Sequence, residues 1–352
     1  MLAAVRPVPQ RFSSARGAPS WRRAAAVVAG VLIVVAVAGW RLLAADQAPR
    51  SAEAPPLGRV EIMRPADGLG SAVAGFGDVW MDDRPGEQLI RVRTPDGRVL
   101  ARIPVRGRLI LAAGAGGVWA LQSAHGFGPY LRGPLLHVDP DGARVRARIA
   151  LRMPSGERML GKGVVAGGGS VWVWGPRDIL RVNPRTDAVV QRIAVADSHG
   201  DVAGVVPRGR RLVVATADGT LLHLDRATGA PLGAVQTALR SPAVRAVIGS
   251  RLIVASDGEL AAVEVATGRV AWRRPLGFLV GGAVLDQGVL WVHSAAFNEP
   301  GDRLTGLDPA TGRVVMRSIL PAFGTTSIVA VDGRLVIPSA DGRALVVAPL
   351  RL

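Results

Sequence analysis

The feature that most constrains this chain is a degenerate repeat of about 40 residues, running from residue 58 to the C-terminus. Each copy reads as an apolar strand, a Gly-rich turn, V-W-V or a similar triplet, a polar loop, L-x-V-D, a P-x-T-G turn and R-V-x-x-R-I. The central triplet recurs as Val79-Trp80-Met81, Val118-Trp119-Ala120, Val171-Trp172-Val173, Leu212-Val213-Val214, Leu252-Ile253-Val254, Leu290-Trp291-Val292 and Leu335-Val336-Ile337. Successive central residues are 39, 53, 41, 40, 38 and 45 apart, which makes seven copies. A turn recurs further on as Asp96-Gly97, Asp141-Gly142, Thr186-Asp187, Thr228-Gly229, Thr267-Gly268 and Thr311-Gly312, each between short apolar runs, as hairpins require. Four short strands at this period predict an all-β, seven-bladed β-propeller over residues 58–352. The 44 glycines and 25 prolines, with segments this short and β-branched, exclude helical solenoids and bundles.

The repeat also predicts how the ring closes. The seventh copy ends after three strands, the last at Ala344 to Val347, and lacks its fourth. Residues 58–64, GRVEIMR, match GRVVMRS at 312–318 and precede the first complete unit. An N-terminal strand is therefore expected to complete the last blade and remove both open edges.

Before the repeat, residues 24–40 form a run of seventeen without a charge, and Leu42 to Ala45 continue it past Arg41. Seventeen helical residues reach about 26 Å, and Arg41 at the interface extends the span. Trp21 and Trp40 flank the run; Arg6, Arg11, Arg16, Arg22 and Arg23 precede it, and Asp46 and Glu53 follow. The pattern predicts one transmembrane helix, a signal anchor, at 24–45, with a basic tail at 1–23 in the cytoplasm, a Pro/Ala-rich linker at 46–57 and the propeller outside the cell. The alternative is a cleaved signal peptide, with Ala36-Val37-Ala38 as the cleavage motif; it too exports the repeat domain.

Composition narrows the function. There is no cysteine, which excludes disulfide frameworks, thiol catalysis and thiolate metal sites. The five histidines include no H-x-x-x-H pair. The net charge is +16, and every basic residue but Lys162 is Arg. Such a surface attracts anions, yet no basic run interleaved with aromatics or groove-reading motif is present, so nucleic acid is not expected as a partner.

The stretch Ala262 to Trp272, AVEVATGRVAW, resembles the A-x-D-x-x-T-G-x-x-x-W pattern of bacterial PQQ-like quinoprotein repeats, with Glu264 at the Asp position. LDPATGRVV at 307–315 and LDRATGAPL at 224–232 are partial copies. The repeat as a whole is similar to bacterial PQQ-like and virginiamycin B lyase-like propellers. The resemblance implies that Asp and Thr brace the turn and that Trp docks neighbouring blades. Quinoprotein dehydrogenases of this kind have eight blades, and many place paired cysteines on the quinone; seven blades and no cysteine depart from that, and no cofactor is expected. Lyase-like propellers use an acid–base histidine beside magnesium, and no local motif here singles one out. Non-enzymatic relatives, including the propeller lipoprotein of outer-membrane barrel assembly, imply a docking scaffold.

With strands labelled a to d from the centre outward, the b–c loops and d–a connections share one face. The long excursions at 122–134, 152–163 and 293–303 all map to it. They carry His125, Phe127, Tyr130, Arg132, Arg158, His293, Phe297, Asn298 and Glu299, and His199 maps to the same face. These ten are the candidate ligand-binding residues. Asp82 and Asp83, read as loop acids, are expected to be simply solvated and no metal is expected; the alternative is a hard cation held with Glu299 or Asp302. His137 and His223 fill one strand-c position, shared with Arg91 and Arg181, and are expected in a solvated or a blade-edge role. The leading expectation is a membrane-tethered, non-catalytic scaffold for a protein or an anionic cell-envelope component. A lyase or hydrolase on the loop face is the alternative, and a quinoprotein-type oxidoreductase stands behind both.

Overall fold

A computed structural model describes residues 60–94, 96–122, 133–152, 159–276, 279–295, 302–320 and 327–348. These form 28 strands in seven antiparallel four-stranded sheets, and one 3-10 turn at Asp197–His199. Strand β1 is Val60–Met63. Blade 1 is β2 (Leu69–Gly75), β3 (Asp78–Asp83), β4 (Gln88–Val92) and β5 (Val99–Pro104). Blade 2 is β6 (Leu109–Gly114), β7 (Gly117–Gln122), β8 (Leu135–Asp139) and β9 (Arg144–Ile149). Blade 3 is β10 (Gly163–Gly167), β11 (Ser170–Trp174), β12 (Asp178–Asn183) and β13 (Ala188–Ala194). Blade 4 is β14 (Val202–Arg208), β15 (Arg211–Thr216), β16 (Thr220–Asp225) and β17 (Pro231–Gln236). Blade 5 is β18 (Ala243–Ile248), β19 (Arg251–Ser256), β20 (Glu259–Glu264) and β21 (Val270–Pro275). Blade 6 is β22 (Leu279–Asp286), β23 (Val289–Ala295), β24 (Asp302–Leu307) and β25 (Val314–Leu320). Blade 7 is β26 (Val329–Val331), β27 (Arg334–Pro338) and β28 (Ala344–Val347).

β1 supplies the fourth strand of blade 7, pairing Val60 with Val347 through Met63 with Ala344. The closure read from the GRVEIMR match is therefore formed. Arg334 reaches Glu61 at 3.8 Å, and Met63 is buried against the Gly97 turn of blade 1. The expected membrane helix at 24–45, the tail at 1–23 and the linker at 46–57 lie outside the described residues. Among the described residues no helix is long and apolar enough to cross a membrane.

The core is a ring of blade–blade interfaces. Strands alternate their side chains with period two, and each blade is covered on both faces, so one triplet feeds two interfaces. Val79 and Met81 of β3 pack with Val336 and Val346 of blade 7, whereas Trp80 between them packs with Val118 and Leu136 of blade 2. Trp119, Trp172 and Trp291 repeat the arrangement and, like Trp80, are fully buried. Burying such a ring contributes several kcal/mol, on the order of 25 cal/mol per Å² of apolar surface.

The turns behave as the resemblance implies. Asp308 accepts from the Ala310 and Thr311 amides at 2.8 and 3.0 Å, and Asp225 does the same for Ala227 and Thr228 at 2.9 Å. Trp272 of blade 5 donates to the Pro309 carbonyl of blade 6 at 3.0 Å and rests on Gly312.

The strand-c position shared by Arg91, His137, Arg181 and His223 is not a solvated edge. His137 and His223 are buried at 1% and 5% exposure. The position lies opposite the central strand-b residue: Trp80 pairs with Arg91, Trp119 with His137, Trp172 with Arg181 and Val213 with His223. His137 stacks on Trp119 with ring centroids 4.0 Å apart, and the Arg91 and Arg181 guanidinium groups sit 5.4 and 5.6 Å from the Trp80 and Trp172 rings. From there His137 bonds Asp187 of blade 3 at 2.6 Å, and Arg91 donates to the Pro140 carbonyl of blade 2 at 2.6 Å. Arg91 thus ties blade 1 to blade 2 and His137 ties blade 2 to blade 3, while Arg181 bonds Ser170 within its own blade.

Candidate functional site

The inner strands enclose a central cavity of about 870 Å³. The residues around it are mostly small or aliphatic, but Leu109, Val164, Val205 and Ile328 are buried in the blade–blade cores, and the surface turned to the cavity is as much polar as apolar. Inner strands begin on the b–c face, and four of them start with a register break: β2, β14, β18 and β22. A bulge re-aims a side chain and frees backbone groups. Ser71, in the β2 irregularity, donates to the Leu109 carbonyl of blade 2 at 2.5 Å. Arg245, in the β18 irregularity, donates through Nη2 to the Val280 carbonyl of blade 6 at 3.0 Å.

Arginines mark the cavity on this face. Arg84 follows β3, Arg108 precedes β6 and Arg245 lies near the start of β18; all three border the cavity. No Asp or Glu is among the described residues that line it. Asp82 lies behind Arg84, 1% exposed, accepting from the Leu109 amide at 3.3 Å and from Arg84 Nε at 3.4 Å. Burial pushes its carboxyl up to about 6, against the opposing pull of the Leu109 amide, Arg84 and Arg108. Burial lowers the Arg245 pKa, with no carboxylate among the described residues beside it to offset this.

The two acids expected in a loop are thus the last residues of β3, both buried. Asp83 accepts from the Gly86 amide at 3.2 Å and from Gln88 Nε2 at 2.6 Å, which makes it a brace for the b–c turn. Asp302 sits in blade 6 and pairs with His293, so it does not join Asp82 and Asp83 in a cation site. Among the described residues no three His, Asp or Glu side chains are grouped to hold a metal ion.

Of the ten candidate residues, His125, Phe127, Tyr130, Arg132, Arg158, Phe297, Asn298 and Glu299 lie outside the described residues. His293 is not in a loop: it belongs to β23, is fully buried, and its Nε2 meets Asp302 Oδ2 at 3.0 Å. His199 closes the 3-10 turn and meets Asp218 at 3.2 Å. Burial works against ionisation of Asp218, yet hydrogen bonds from Thr216, Thr220 and His199 hold it at about 2. Lys162 pairs with Asp201 nearby in sequence, at 3.0 Å. Neither His199 nor His293 borders the central cavity, so the two do not assemble an acid–base pair there. Arg108 and Arg245 were not among the sequence candidates. The available signal for Arg245 is a charge near the start of the inner strand A-V-R-A-V-I, at a position where β14 and β22 carry Ala203 and Gly281.

Seven radial four-stranded sheets around a central cavity, closed by pairing of the first and last strands, define a β-propeller. Residues 131–279, which carry β8 through β21, match the family profile described as outer membrane protein assembly factor BamB. Among solved structures, U3-55K superposes with a TM-score of 0.62 at 13% identity, covering 83% of this chain and 98% of that one. The crystal structure of the computationally designed Ika8 protein gives 0.55 at 11% identity, covering 80% and 96%. At these identities the likeness is one of fold. No curated protein matches the chain in sequence.

Proposed function

We propose that this protein is a membrane-tethered extracytoplasmic scaffold that docks a protein partner on the b–c face of its propeller. The single observation that carries the reading is the match of residues 131–279 to the outer-membrane assembly-factor profile. Two features support it. The uncharged run at 24–40, flanked by arginines before and acids after, suits a signal anchor, or a cleaved signal peptide, with the propeller exported. The b–c face receives the connections between β7 and β8 and between β23 and β24, and the first of these, with the d–a connection from β9 to β10, is among the longest between strands. The candidate residues His125, Phe127, Tyr130 and Arg132 fall in the first of these, and Phe297, Asn298 and Glu299 in the second. This role needs no cofactor.

The test is chemical cross-linking in intact membranes followed by capture of the full chain, with and without shortening of residues 122–134. A partner lost on shortening supports the face; recovery of the same partners from both chains removes it. Protease added to spheroplasts should digest the propeller, and protection from it would overturn the orientation.

A further inference from the structure

We infer that the central cavity is a binding site for an amphipathic organic anion, with Arg245 as its charge anchor. The inference does not depend on the scaffold reading, and either stands without the other.

The argument starts from one side chain. A buried charge is normally paired, because desolvating it alone costs several kcal/mol, roughly, and its partner recovers that. Other buried or half-buried charges follow the rule: Arg91 with Asp78, Arg251 with Glu264, Lys162 with Asp201. Arg245 does not. Its Nη2 meets a backbone carbonyl, its Nε is buried without a hydrogen-bond partner, and no acid among the described residues lies beside it. A guanidinium offers five donors in a planar fork suited to a two-oxygen anion, and one of them is spent on Val280.

The surroundings give the ligand its shape. Arg245 borders a cavity of about 870 Å³, within the range of small-molecule sites. Arg84 and Arg108 border the same space from blade 1 and the connection to blade 2. The cavity is far larger than a bare ion such as inorganic phosphate, and its mixed lining of polar groups and small side chains such as Ala166 and Ala246 leaves room for an organic body behind the headgroup. With no acid among the described lining residues, the field inside favours a negative headgroup. The β18 register break aims Arg245 inward, at a position where β14 and β22 carry Ala203 and Gly281.

The competing account makes Arg245 a staple between blades 5 and 6 through Val280. Calorimetric titration of the full-length chain with 4-phenylbutyrate separates the two, with acetate and 4-phenylbutanol as controls at fixed ionic strength. Saturable binding of 4-phenylbutyrate is expected, with both controls weaker by at least roughly tenfold, the value of one charge-assisted hydrogen bond or a buried aromatic body. Arg245→Met should weaken binding by a similar factor while leaving the urea midpoint of the unliganded chain unchanged or higher. Equal binding of the alcohol, or full binding by Arg245→Met, overturns the inference. So does a chain that binds nothing and loses stability on Arg245→Met. Should Arg245→Met fail to fold, Arg245→Lys and the exposed Arg108→Gln replace it; unchanged affinity in both refutes the anchor.

Discussion

Asp82→Asn isolates the energetic cost of seating a carboxylate behind the arginines of the cavity mouth. Asp82 is 1% exposed, and burial raises its carboxyl from 3.8 to about 6. The native state therefore binds this proton more tightly than the unfolded chain. Between those two values the folded protein carries the extra proton, so this group's contribution to stability is greatest below the unfolded value and declines as pH rises through about 6. A gap of about two units at about 1.4 kcal/mol each amounts to about 3 kcal/mol at neutral pH. Asparagine keeps an oxygen for the Leu109 amide and removes the charge. It also gives up the 3.4 Å contact with Arg84, which returns part of the gain. The variant should thus be more stable than the parent by about 1–3 kcal/mol at pH 7.5, with the difference vanishing near pH 4. Urea midpoints measured from pH 4 to 8 read this directly. Asp96, Asp218 and Asp341, held at about 2, lose their stabilising contribution only at lower pH and do not interfere. A difference that is constant across this range, or a variant less stable throughout, refutes the reasoning and makes Asp82 a structural partner of Arg84.

Deleting residues 58–64 should lower the urea stability by at least the roughly 2–5 kcal/mol that loss of one buried methionine costs, because Met63 leaves together with the closing strand. Deleting the linker at 46–57 should change it little, and equal midpoints for the two deletions would refute closure. Gly312→Ala combines a φ of +69 with a Cβ only 2.6 Å from the Trp272 ring, and should cost about 2–4 kcal/mol in thermal unfolding. Gly249→Ala, at φ +53 with nothing within 4 Å, should cost about 1 kcal/mol; similar losses at both sites would show that Trp272 does not lock blades 5 and 6.

Most of the architecture was readable along the chain. The V-W-V period placed every strand b, and the half-copy at Val60 to Met63 announced its partner at the far end. The Asp-Thr-Gly turns were equally plain, since each is set by hydrogen bonds within five residues, as Asp308 shows. Exposure was harder to read. In most half-buried sheets alternation separates core from solvent, but a blade buries both faces, so the polar character of His137 carried no information about its surroundings. His293, Asp82 and Asp83 failed for a related reason. They extend β23 and β3 past the apolar run, where pairing with β24 and β4, not side-chain pattern, decides the strand end.

The sequence alone determined the number of blades, the order of strands and the segment that closes the ring, because each follows from spacing and from contacts made within one repeat or between two matching ones. Tertiary structure alone decided which charges face one another. Arg84, Arg108 and Arg245 stand far apart in the chain and border one cavity only because the inner strands of successive blades turn around a common axis. Whether a guanidinium finds a carboxylate there depends on that rotation, and the rotation leaves Arg245 with a backbone carbonyl.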